Sequence, residues 1–138
     1  MKKVDLASIA PGTYIGMTAR PGSGNELQAV AVVVFPENLR GAGEGHRDWD
    51  LAPGTTMTNA NVEAAVQGSS GRDLTLAYKG GSVKVLVGPD APVVTPVPAD
   101  RADLKPGATV FLSATRAADG ALSASRITVS KDGVAPPM

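Results

Sequence analysis

The sequence predicts an all-β chain. Three observations point there: short Val-, Ile- and Leu-rich runs, turn residues at nearly every boundary, and a gapless internal repeat with the shape of a hairpin. The first runs are Tyr14 to Ala19 and Leu27 to Phe35, set off by Pro11-Gly12 and by Gly22-Ser23-Gly24-Asn25. Asn61 to Val66 is the only helix candidate; it is shorter than two turns, and its composition suits a strand equally well. Leu74 to Tyr78 and Val83 to Val87 then flank Gly80-Gly81. Val110 to Ala114 and Leu122 to Val129 follow Pro106-Gly107 and flank Asp119-Gly120. Within Ala121 to Ser130 the apolar alternation changes phase near its middle, the mark of a β-bulge.

Composition removes several classes of function. The 138 residues make one domain or two small ones, long enough for a core. Thirteen basic and thirteen acidic side chains cancel, so no general electrostatic pull acts on nucleic acid or anionic lipid. Five aromatic residues, scattered among core-like positions, make no stacking platform, and nucleic acid is not an expected partner. No apolar run reaches the length of a membrane-spanning helix. The absence of Cys excludes disulfides, thiolate metal sites and cysteine nucleophiles.

A shift of 95 residues aligns Ala7–Val34 with Ala102–Val129 without a gap. Pro11-Gly12 falls on Pro106-Gly107, Ile15 on Val110, Met17 on Leu112, Leu27 on Leu122 and Val32 on Ile127. Each copy reads as an apolar anchor, a Pro-Gly turn, a strand, a polar tip and a second strand. Before its hairpin the second copy has room for three further strands; the first copy has only Met1 to Leu6. The expected organisation is a partial repeat unit over 1–37, truncated at its N-terminus, a Gly-rich loop over 38–55 and a barrel unit over 56–138. Leu74, Leu76, Val83, Val85, Val110, Leu112 and Ile127 are the expected barrel core. The N-terminal hairpin, left with an open edge and an apolar face, is expected to pair with a second copy as a homodimer.

Between the repeats lies Phe35-Pro36-Glu37, then Arg40-Gly41-Ala42-Gly43-Glu44-Gly45-His46-Arg47-Asp48-Trp49-Asp50-Leu51, then Met57-Thr58-Asn59-Ala60. This stretch resembles the pattern of a family of uncharacterised secreted proteobacterial proteins, FPE-x-x-RG-x-GEGH-x-x-WDL followed by MTNA. Asp103-Leu104-Lys105-Pro106-Gly107 and Gly133 with Pro136-Pro137-Met138 extend the likeness over nearly the whole chain. The resemblance implies tandem OB-like units. The fold it adds up to is an OB-like five-stranded antiparallel barrel plus an N-terminal hairpin from a truncated second copy. It also implies a periplasmic or secreted setting, although the chain shows no signal peptide.

The central stretch admits two chemical readings. Glu44, His46, Asp48 and Asp50 alternate, so an extended segment points all four to one side. One imidazole with two or three carboxylates is a ligand set for zinc or manganese, which makes a divalent metal the one cofactor the residues suggest. Against this, Gly41, Gly43 and Gly45 interrupt a straight strand and favour a loop whose polar groups cap turns. Trp49 and Asn59 read as anchors of that loop, with the indole N–H satisfied. No nucleophile elbow, catalytic triad or dinucleotide-binding glycine pattern has its required context. The expected function is a non-enzymatic binding or assembly module, with a divalent-metal-dependent envelope protein built on Glu44, His46, Asp48 and Asp50 as the alternative.

Overall fold

The computed structural model describes residues 1–137 and has the expected all-β fold; Met138, the last residue of the C-terminal pattern, lies outside the described residues. A short edge strand β1 (Lys2–Lys3) precedes the N-terminal hairpin of β2 (Tyr14–Pro21) and β3 (Leu27–Val34). β4 (Gly45–Trp49) carries the central motif. β5 (Thr55–Gly68), β6 (Gly71–Tyr78) and β7 (Gly81–Val87) form a meander, and β8 (Val93–Thr95) follows. β9 (Val110–Leu112), β10 (Thr115–Arg116), β11 (Leu122–Ser123) and β12 (Ile127–Val129) make a C-terminal ribbon. Asn61 to Val66 is strand, inside β5.

Five strands close a barrel in the cyclic order β3–β2–β5–β6–β7. All of its pairs are antiparallel except the closing one, where Leu27 and Gln28 of β3 run parallel to Val85 and Leu86 of β7. The long β5 makes closure feasible: β2 pairs along its first half and β6 along its second. A meander closed by a hairpin through one parallel pair is OB-like, with the hairpin preceding the meander in the chain. Alternate residues fill the interior, among them Ile15, Met17, Val32, Leu74, Leu76 and Val85. A smaller cluster of Met1, Val33 and Val94, with Phe35 packed on it, covers the outer face of β3. The five apolar residues in a row from Ala29 to Val33 are therefore used on both faces.

The closed five-stranded barrel was legible in the sequence, but the hairpin expected to complete it was the other one. Val110, Leu112 and Ile127 are 46%, 42% and 45% exposed and lie outside the core, whereas Leu74, Leu76 and Val85 are buried in it and Val83 packs against it. The barrel thus draws strands from both sides of the expected 1–37, 38–55 and 56–138 division. Two-faced burial decides the matter. The outer face of β3 lies under Met1 and Val94, a position suited to Ala31 and Val33; the second repeat has Arg126 and Thr128 there. The same pairing removes the basis for a dimer through the N-terminal hairpin. β2 is hydrogen-bonded between β3 and β5, and β3 between β2 and both β7 and β8, so neither strand offers a free edge.

Candidate functional site

The motif loop folds over the barrel because its glycines permit it. Gly41, Gly43 and Gly45 all take positive φ, at 83°, 59° and 133°, where a side chain would be strained. The chain then straightens into β4, which lies antiparallel along β5 with His46 opposite Thr58 and Trp49 opposite Thr55. Four side chains fasten the loop. The Tyr14 hydroxyl and Asn59 Nδ2 both donate to the Ala42 carbonyl, at 3.2 and 3.0 Å. Arg40 donates to Glu37 at 2.6 and 2.8 Å, to Asn61 Oδ1 at 2.6 Å and to the Gly12 carbonyl at 2.9 Å. Its fork thereby joins the loop, β5 and the turn before β2. Arg47 donates to the Gly43 carbonyl at 2.9 Å and lies 5.5 Å from the Trp49 ring centroid.

The four expected ligands are not brought together. His46 and Asp48 share one side of β4, but Glu44 precedes the strand and Asp50 follows it. Glu44 accepts the Lys79 backbone N–H at 2.9 Å, and His46 Nδ1 meets the Thr58 hydroxyl at 2.8 Å while its ring stacks on Tyr78. Among the described residues no three His, Asp or Glu side chains converge on one point. Trp49, expected to anchor the loop onto the barrel, lies with its ring centroid 6.2 Å from that of Phe111 in the C-terminal ribbon. Its indole Nε1 is buried without a partner, contrary to the satisfied N–H that the sequence suggests. A gap of about 240 Å³ separates ribbon from barrel there, lined by Trp49, Asn59, Phe111 and Arg126.

Sequence reasoning missed Tyr14, Arg40, Thr58 and Tyr78 as members of this assembly. Gly16 was the available signal, because a glycine inside an apolar strand marks a close backbone approach. A Cβ there would lie 2.8 Å from both Asn59 Oδ1 and the Phe35 ring. The site is a clasp of backbone acceptors and long polar side chains. Comparison with protein-family profiles, with curated proteins and with solved structures finds no match to the chain. No helix among the described residues is long and apolar enough to cross a membrane.

The clasp carries a pH signature. Burial, reinforced by the Glu44 carboxylate and opposed by Arg47 and Arg40, holds the Tyr14 hydroxyl pKa above its usual value. The unfolded chain therefore loses this proton first. Stability from this group is intact below pH about 10 and falls as pH rises further. Tyr14→Phe is expected to flatten that alkaline decline in a series of urea melts, while costing about 1 kcal/mol at neutral pH for the lost bond to Ala42. An unchanged alkaline limb would show that other groups control it.

Proposed function

We propose that the chain is a non-enzymatic binding or assembly module of the bacterial envelope. The observation that carries this reading is the clasp. Arg40, Glu44, Arg47 and Asn59, four polar residues of the motif, each hydrogen-bond a backbone group of the same chain, at Gly12, Lys79, Gly43 and Ala42. Groups held this way position a loop. The envelope setting rests on the likeness of the Arg40 to Leu51 and Met57 to Ala60 stretches to secreted proteins.

A second reading keeps a divalent metal, favoured by His46 and Asp48 emerging on the same side of β4. Elemental analysis of the purified protein beside its His46→Ala variant separates the two. The module reading expects no stoichiometric metal and a loss of about 1 kcal/mol from the missing Thr58 contact. A stoichiometric divalent metal that disappears in His46→Ala would replace it with a metal function for Glu44, His46, Asp48 and Asp50.

A further inference from the structure

Asn59 stands in a row of small residues on the outside of the barrel. Across the sheet it faces Gly16 of β2 and Gly45 of β4, and Gly16 in turn faces Val33 of β3. Two neighbours without side chains leave a hollow, which Phe35 and the Ala42 carbonyl enter without filling. The next row holds Met57 of β5 and Arg47 of β4, and Trp49, two residues beyond Arg47, shares that face of the strand. The C-terminal ribbon roofs the hollow. Phe111 and Thr128, opposite each other in the ribbon, line the gap of about 240 Å³ from the other side. A second gap of about 460 Å³ shares Arg126 and Thr128 with it and gives a way in beside Arg126.

The walls have the composition of a ligand site. Phe35, Trp49, Met57 and Phe111 give apolar and aromatic surface, with a small number of polar groups among them. Arg47 and Arg126 are cationic, and no acidic side chain lines the gap among the described residues. Two polar atoms of the wall are buried without a partner, the Trp49 indole Nε1 and Asn59 Oδ1. Asn59 Oδ1 lies over Gly16, where the Nδ2 bond to Ala42 holds it. The indole nitrogen is the orphan that a ligand can serve. It only donates, so what it lacks is an acceptor. Leaving such a group buried and unpaired costs free energy that a bound acceptor recovers.

We infer that this gap binds a compact aromatic carboxylate, a step that rests on the reading of the chain as a binding module and names its ligand class. Each half of the ligand is set by a different part of the wall. The arginines and the indole N–H both call for an anion that accepts hydrogen bonds, and a guanidinium matches a carboxylate with two parallel donors. Arg126 supplies that fork, because Arg47 already donates to the Gly43 carbonyl and lies against the Trp49 ring. A small turn of Trp49 brings its N–H onto the carboxylate, an adjustment of the kind common on binding. The body follows from volume and shape. The gap of about 240 Å³ equals about eight liquid waters, room for one or two rings. Phe35, Trp49 and Phe111 offer such a ring faces and edges to pack against.

Calorimetric titration of the full chain with phenylacetate tests this. Phenylacetamide is the neutral counterpart, and the emission of Trp49, the sole Trp, reports where the ligand sits. The expected result is saturable one-site binding of phenylacetate that shifts the Trp49 emission. Phenylacetamide binds about tenfold more weakly, and Arg126→Gln weakens phenylacetate by a similar factor, because a hydrogen bond to a charged group is worth about that much. The exposed position of Arg126 leaves the melting temperature of that variant unchanged. Trp49→Phe keeps a ring, loses the N–H and weakens binding about fivefold. Arg116→Gln, near the ribbon tip and outside the gap, binds like the parent chain. No binding of phenylacetate overturns the inference, while the module reading stands or falls separately on the metal analysis above. Equal affinity for phenylacetamide overturns it too, since no cation would then be reading the carboxylate. So does binding that both Arg126→Gln and Trp49→Phe leave intact, because the ligand would then occupy another surface.

Discussion

Leu76→Ala is expected to cost about 2–5 kcal/mol of unfolding free energy, whereas Leu112→Ala costs about half a kcal/mol or less. The two residues look alike in the sequence: each is a leucine in a short apolar run between turns. Leu76 is fully buried on β6, where Val62 of β5 and Val83 of β7 stand opposite it across the sheet. Truncation there removes apolar atoms and leaves a cavity that a closed barrel cannot collapse, because the strands on both sides are fixed by their ladders. Leu112 has no such surroundings, since the C-terminal ribbon lies outside the barrel. Urea melts of the two variants measured in dilute solution decide the point. Equal losses, or a larger loss at Leu112, would mean that the second repeat and not the first completes the barrel.

The contrast shows which part of the fold was legible in the sequence. Strand runs, turns and the repeat could all be read, because each depends on a residue and its near neighbours. Within Ala121 to Ser130, where a bulge was expected, the ladder instead breaks: β11 ends at Ser123 and β12 begins at Ile127. The choice between two near-identical hairpins for one meander depends on what lies against their outer faces, and no local pattern encodes that. Ala31 and Val33 against Arg126 and Thr128 was the available clue, since only the first pair can be covered on both sides. The motif followed the same rule. Its glycines predicted a loop over 38–55; the chain is irregular from Arg40 to Glu44, but Gly45–Trp49 forms strand β4. The alternation of Glu44, His46, Asp48 and Asp50 predicted a shared side, which survives only where β4 is straight, at His46 and Asp48. Arg40 and Tyr14 escaped notice because their partners are carbonyls of Gly12 and Ala42, which the sequence does not mark as special.

Gly71→Ala is expected to destabilise the barrel by more than about 3 kcal/mol, among the largest effects a single methyl can have in this chain. Gly71 opens β6 with φ of 140°, opposite Gly68 of β5, where the meander makes its first tight reversal. A Cβ there would overlap the Val87 carbonyl oxygen and stand 3.0 Å from the Gly88 Cα. Both obstacles are backbone, so no rotamer change relieves them. The end of β7 would have to move, and with it Val87, a fully buried lining residue paired to Arg72. Gly80, in the next reversal, supplies the control. It also has positive φ, at 106°, but a Cβ there meets nothing within 4 Å. Gly80→Ala should therefore lose only the conformational strain, about 1–2 kcal/mol. The difference between the two variants in thermal or urea unfolding isolates the steric conflict. A loss at Gly71 no greater than at Gly80 would show that the β7 end yields freely, and that the barrel does not depend on the close seating of the β5–β6 turn against it.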